Sequence, residues 1–178
     1  MRETKHVISN GIAFSEKKDL EMLRKEAANG WIVKRFKKMG YEFEKGNPED
    51  VIFSIDIREL KEEELDEYIE LFETAGWTHV FSHFDMHLFK ALPGTKPIYT
   101  DKESKVGKFE RLQKSVGPAA AISSCAMVGS YIIQEIASGT LSNVFRVVFF
   151  ISVVIAVPMI MTFLATMYHS IKSKYVNK

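Results

Sequence analysis

The sequence predicts an α+β protein. A polar domain of two strand-helix-strand-strand repeats forms an antiparallel sheet with two helices on one face, and a two-helix transmembrane hairpin follows it. Three observations carry this. First, the runs 116–133 and 147–168 contain no Lys, Arg, Asp, Glu or His. Each reaches the ~18 apolar residues at which a stretch can cross a bilayer, and a soluble core helix of that length would carry a charged outer face. Second, the chain shifted by 46 residues falls on itself: Gly30-Trp31 on Gly76-Trp77, Phe43 on Phe89, Val7 on Phe53 and Phe14 on Leu60. Third, the run 51–58 alternates, with Val51, Phe53, Ile55 and Ile57 on one side and Ile52, Ser54, Asp56 and Arg58 on the other. That is the pattern of a strand with one buried and one open face.

In chain order, the first helix opens at Ser15, a good N-cap, and places Leu20, Leu23 and Ala27 at helical spacing. It ends at Gly30, the usual left-handed residue after a helix, and Trp31 then packs back on the last turn. The hairpin 31–45 follows, with Gly40 marking its turn, and Asn47-Pro48 joins the halves. The second helix runs through Leu65, Ile69 and Phe72, with Glu62, Glu63 and Glu64 suited to the dipole of its first turn. It stops at Gly76-Trp77 in the same way, and the hairpin 77–90 turns near 83–85. The domain bounds read 1–92 for the polar domain and 93–114 for a linker and basic juxtamembrane helix. The spans are 115–134 and 146–169, the external loop 135–145 and the basic tail 170–178.

Composition narrows the function. The 178 residues carry a net charge of +1, which excludes a nucleic-acid binder driven by bulk electrostatics. Mean hydropathy of -0.07 averages a charged front and an apolar back. Residues 1–18 are punctuated by charge without an apolar core, so no signal peptide is expected. Lys102, Lys105, Lys108, Arg111 and Lys114 precede the first span, and Lys172, Lys174 and Lys178 follow the second. The connection carries only Glu135 and Arg146, so both termini are expected in the cytoplasm. The basic residues before the first span recur every third position, interleaved with Val106, Phe109 and Leu112. That spacing suits a helix lying on the inner leaflet, each cation contributing about 1 kcal/mol; the plainer reading is ordinary topogenic flanking.

Gly117, Ala121, Cys125 and Gly129 form a small-residue line in the first span, suited to close packing on the second span or on a second copy. Cys125 itself reads as a packing residue. Pro158 is expected to kink the second span. Neither span holds a deep ionisable side chain, so neither provides a proton relay or ion path.

The stretch YEFEKGNPEDVIFSIDIRE (41–59), with the helix ends AANGW and TAGW, resembles the bacterial domain of unknown function 2812 family over residues 5–90. The resemblance implies a cytoplasmic domain followed by spans of a bacterial cell membrane, and a PadR-like transcriptional regulator encoded nearby. That family has no assigned activity, so the resemblance implies no catalytic residue. The element order is also similar to the duplicated module of gyrase-inhibitor-like effector-binding domains, which hold amphipathic or cationic molecules between two pseudo-symmetric halves.

His79, His83, Asp85 and His87 straddle a hairpin, so they need not converge, whereas metal ligands must; no metal and no cofactor are expected. Asp56 and Arg58 are neighbours on the open strand face beside Ser54. They are either a structural pair or the polar floor for a small cationic amphipathic ligand, with Tyr41 and Phe43 covering its apolar part. A phosphate loop, nucleophile elbow or Cys–His pair is missing from the sequence, and an enzyme is not expected. The sequence reading is a membrane-anchored sensory or interaction domain without catalysis, in a stress or antimicrobial response linked to a PadR-like repressor. The alternative is a structural accessory subunit of a larger membrane complex. Expected partners are the lipid bilayer, an amphipathic ligand and a membrane partner or second copy, with no nucleic acid.

Overall fold

Each half of the polar region turns its apolar periodicity into a strand, a helix and a hairpin. In the computed structural model, which describes the backbone of residues 3–99 and 102–175 and the side chains of 3–99 and 107–172, the first half gives β1 (Thr4–Ile8), α1 (Ile12–Ala28), β2 (Trp31–Lys37) and β3 (Gly40–Lys45). The second gives β4 (Ile52–Ile57), a 3-10 turn at Glu62–Glu64, α2 (Leu65–Thr74), β5 (Thr78–His83) and β6 (Met86–Ala91). The strands form two three-stranded antiparallel sheets, ordered β1-β3-β2 and β4-β6-β5, where one sheet was expected. β2 and β5 lie beside each other without pairing, with the Phe36 and His83 rings 5.4 Å apart. Each carries a bulge, between Val33 and Arg35 and between His79 and Phe81. A bulge twists its strand, and both bulged strands stand at the edges where the two sheets abut.

Both helices of the polar region stop at glycine in the left-handed region, Gly30 at φ 77° and Gly76 at φ 85°. At the second, Trp77 N–H donates to Phe72 O (3.0 Å) and Gly76 N–H to Glu73 O (2.9 Å), the paired bonds of a Schellman cap. The two tryptophans then diverge. Trp77 is buried and its Nε1 donates to Lys96 O at 3.0 Å. Trp31 is half-buried, with the ammonium groups of Lys5 and Lys45 5.6 and 4.7 Å from its ring centre. α1 begins at Ile12, and Ser15 keeps a non-helical backbone (φ -151°, ψ 41°) between a first turn and the helix proper. Gly40 does not make the first hairpin turn; Lys38 and Met39 do, both at positive φ. The glycine is needed because a Cβ there would stand 2.3 Å from Val7 O on β1.

α1 packs on β2 and also on β4, and α2 packs on β5. α1 buries Ala13, Leu23 and Ala27, and the first sheet buries Val33, Tyr41 and Phe43. A second core gathers Tyr68, Trp77, Phe89 and Ala91, with Ile52, Leu60, Leu65, Ile69, Phe72 and Ile98 against it.

The chain divides into two compact units, Met1–Lys108 and Phe109–Lys178. Two long helices, α3 (Lys102–Ile136) and α4 (Thr140–Tyr175), run through Pro118 and Pro158. The segments Gly107–Ile136 and Thr140–Lys172 are long and apolar enough to cross a membrane. Among the described residues of the second unit, the buried ones are small or hydroxylated: Ala120, Ser130, Ser152, Ala156, Thr166 and Ser170. Thr166 and Ser124 donate their hydroxyls to Phe163 O and Ala120 O of their own helices (2.7 and 2.6 Å). The expected small-residue line contributes Gly117, where a Cβ would lie 3.5 Å from Phe163. Ala121 and Cys125 are exposed, and a Cβ on Gly129 would meet nothing within 4 Å.

Candidate functional site

Alternation along β4 sets Ile52, Ser54 and Asp56 on one face, opposite Ala91, Phe89 and His87 of β6. The sequence left this face open, but Phe89 and Ala91 belong to the core that includes Tyr68 of α2. Asp56 is accordingly only 4% exposed. The opposite face is buried as well, through Phe53, Ile55, Ile57 and Leu88, and α1 packs on this same strand. β4 thus lies inside the domain rather than at its surface.

The Asp56 carboxylate accepts hydrogen bonds from Tyr68 Oη (2.6 Å), from Ile57 N–H (2.7 Å) and from Tyr99 Oη. Burial, and then the hydrogen bond to Asp56, push the Tyr68 phenol far above its usual pKa, so it stays protonated and donates. Arg58 emerges at the surface with its guanidinium 5.6 Å from the centre of the Tyr68 ring. A polar chain runs beside them: His79 Nε2 to Ser82 Oγ (2.9 Å), Ser82 Oγ to His87 Nδ1 (2.8 Å) and His87 Nε2 to Arg58 O (2.9 Å). A carbonyl only accepts, so His87 Nε2 carries a proton. Its Nδ1, when neutral, takes the Ser82 hydrogen, and Ser82 takes that of His79. Desolvation, and then His87, lower the His79 pKa.

The other expected site residues lie elsewhere. Tyr41 and Phe43 are fully buried on β3, in the sheet that lacks Asp56. Tyr41 donates to Asp19 at 3.3 Å, its own pKa raised by burial and then by that carboxylate. Ser54 is half-buried. Lys108, expected at the leaflet, is 4% exposed inside the domain. Its ammonium meets Glu16 at 2.5 Å and Ile55 O at 2.6 Å, and sits 5.2 Å from the Tyr99 ring centre. A carboxylate on α1 and a carbonyl on β4 thus draw it into the polar unit by charge-assisted contacts. Arg111 is half-buried and Lys114 exposed, while the side chains of Lys102 and Lys105 lie outside the described residues.

Sequence reasoning missed Asp19, which accepts from Ser9 Oγ, Asn10 N–H (2.7 Å), Asn10 Nδ2 (2.8 Å) and Tyr41. The signal was present: Asp19 is four and eight residues before Leu23 and Ala27, on the apolar stripe itself. It also missed a groove of about 550 Å³ along α2. Apolar Leu60 and Leu71, the carboxylates of Glu59, Glu64, Glu67 and Glu70, and Arg58 and Tyr68 line it. Tyr68 therefore belongs both to the groove wall and to the buried Asp56 cluster. Such a lining suits a molecule with an apolar body and a positive charge.

The fold and groove together define a polar α+β domain joined to a hairpin of membrane-type helices. The chain belongs to the family described as protein of unknown function (DUF2812), whose model matches residues 15–121. The match enters α3, beyond the stretch 5–90 on which the resemblance rested. No curated protein and no solved structure matches the chain.

Proposed function

We propose that this protein is a membrane-anchored, non-catalytic sensor whose polar domain binds cationic amphipathic molecules. The observation that carries the reading is the groove along α2, where carboxylates flank apolar residues and Tyr68 reaches from the wall to the buried Asp56. On this reading the hairpin spans a bacterial cell membrane with both termini in the cytoplasm, as the Lys and Arg distribution favours. The family resemblance implies a PadR-like regulator encoded nearby, and on this reading the sensor is linked to that regulator in a stress or antimicrobial response. The test is equilibrium dialysis of tetraphenylphosphonium against the full chain in lipid nanodiscs, with empty nanodiscs subtracted. Saturable binding is expected, weakened about tenfold in a Glu64→Gln, Glu67→Gln double variant, the scale of one lost charge-assisted contact. Binding no greater than to empty nanodiscs, or unchanged in the variant, would remove the groove from the proposal.

A second reading, a structural accessory subunit, draws on the exposed Ala121 and Cys125 and the open face at Gly129. Such a face lets another helix approach closely in lipid. Oxidative cross-linking through Cys125 in membranes would reveal a second copy there, and the absence of any cross-linked dimer would leave that face to lipid or to another protein.

A further inference from the structure

We propose that the tips of the two β-hairpins form an interfacial contact that seats the polar domain on an anionic lipid surface. Six large apolar side chains of this domain are exposed; Phe14, Leu71 and Leu92 are spread over α1, α2 and the segment after β6, whereas Ile8, Met39 and Phe84, at 70%, 80% and 89%, lie at the end of β1 and at the two hairpin turns. They lie together by contacts on each side. Ser9 N–H donates to Met39 O at 3.0 Å, and Ile8 pairs with Gly40. Phe36 at the end of β2 stands 5.4 Å from His83, whose ring is 4.7 Å from that of Phe84. Lys38, Met39 and Phe84 also hold positive φ, at 52°, 58° and 49°. Glycine or asparagine would adopt that backbone with less strain, so the turns keep these side chains at a cost in conformation. An observed backbone outlier of this kind is a reason to look for a role in the side chain.

The occupant follows from where the polar unit ends. Its last residue, Lys108, is held by Glu16 near the start of α1 and by Ile55 O on β4. α1 begins a few residues after Ile8, the strand end that pairs beside Met39. Ile55 is two residues before Ile57, which pairs with Met86 next to the Phe84–Asp85 turn, a separation of about 10 Å along the ladder. The chain therefore leaves the domain at the same end as the apolar tips, and the sequence becomes membrane-type at Gly107. Exposed Lys37 and Lys38 precede Met39, which suits anionic headgroups, while Met39, Ile8 and Phe84 suit the acyl boundary below them. A bilayer already attached through the chain has a high effective concentration at this end, so even a weak contact is occupied.

The inference rests on the reading that the apolar hairpin spans a bilayer, and the experiment separates the two. In a Cys125→Ala background, the full chain carries one cysteine at a time, Met39→Cys, Phe84→Cys, Glu21→Cys on the exposed side of α1, or Ile155→Cys in α4. Each is labelled with an environment-sensitive fluorophore and placed in nanodiscs of phosphatidylethanolamine and phosphatidylglycerol, with or without lipids brominated near the headgroup end of the acyl chain. The substituted side chains at 39 and 84 are exposed tips, so the fold does not depend on them. We expect a blue shift and loss of intensity at 39 and 84, and neither at 21. Quenching at 155 by chains brominated at mid-depth reports the hairpin separately. Quenching at 155 with 39 and 84 behaving like 21 would overturn the tip contact and leave the membrane anchor standing. No quenching at 155 would overturn both. A blue shift at 39 and 84 without quenching by brominated lipid would mean that protein, such as a second copy, covers the tips, and the lipid contact would be wrong.

Discussion

Asp19 and Asp56 are buried carboxylates held by tyrosines, one in each half of the domain. A buried carboxylate is tolerated only with enough donors, and every buried side-chain polar atom among the described residues has a partner. We expect Asp56→Asn, which keeps the shape and removes the charge received by Tyr68 and Tyr99, to destabilise the domain by about 1–3 kcal/mol. Near-ultraviolet circular dichroism melts of the detergent-solubilised chain would measure it, and an unchanged melt would mean the carboxylate is not the acceptor that organises the cluster. The tryptophans make a sharper pair. Both follow a helix-ending glycine, so the sequence treats them alike. Yet Trp77 is enclosed by the second core, and Lys96 O accepts its indole hydrogen. Trp31 keeps one side wet between two lysines. Trp77→Ala should cost about 3–5 kcal/mol and Trp31→Ala about 1 kcal/mol. Equal losses in the same melts would contradict the difference in their surroundings. Position relative to a cap is written in local sequence, whereas burial depends on which later segment folds over it.

At the scale of elements, what was legible follows the same division. Helix ends showed through Gly-Trp, and the hairpins through their apolar alternation. The alternation of β4 separated two faces correctly but could not say what covers each, and α2 covers the one that looked open. One sheet was expected because nothing local marks a bulge at Val33 or His79. The groove was not legible because it joins the exit of β4 to the side of α2, and neither segment alone has a binding pattern. The β5–β6 hairpin yields a pH dependence. Desolvation and His87 hold the His79 pKa below its ordinary 6.5, so the unfolded chain binds the proton more readily than the folded one. Stability from this group is complete above about pH 6.5 and declines as pH falls toward the lower folded value. We expect melting temperatures of the wild type and His79→Asn, plotted against pH, to run parallel above pH 6.5, with only the wild type bending down below it through this group. Parallel curves down to pH 5 would mean that His79 titrates as freely in the folded chain as in the unfolded one.

For the molecule as a whole, the polar unit extends past the boundary at residue 92 that composition suggests. Lys96 O receives Trp77, Tyr99 caps Asp56, and Lys108 joins Glu16 to Ile55 O. A fragment 1–108 should therefore melt higher than a fragment 1–92, which leaves the Trp77 indole and the Asp56 carboxylate without those partners. Equal melting temperatures would mean that these contacts add nothing to the domain. Charge runs marked the linker as a surface helix, but a lysine whose neighbours supply a carboxylate and a carbonyl is drawn inside, and no periodicity of the linker reveals its distant partners. The proposed orientation of the hairpin is checked by reporter fusions after Lys178 and within the connection 137–139. Cytoplasmic signal at the first and external signal at the second are expected, and the reverse would invert the topology.

The left-handed residues at the two turns have one more consequence. Phe84→Gly and Met39→Gly would relax the backbone and raise the stability of the polar domain by up to about 1 kcal/mol each. A laboratory population selected for heat resistance alone would drift toward glycine at these two positions. One selected for growth under membrane-active compounds would retain the bulky side chains, so the residues recovered at 39 and 84 would reveal which pressure the turns have answered to.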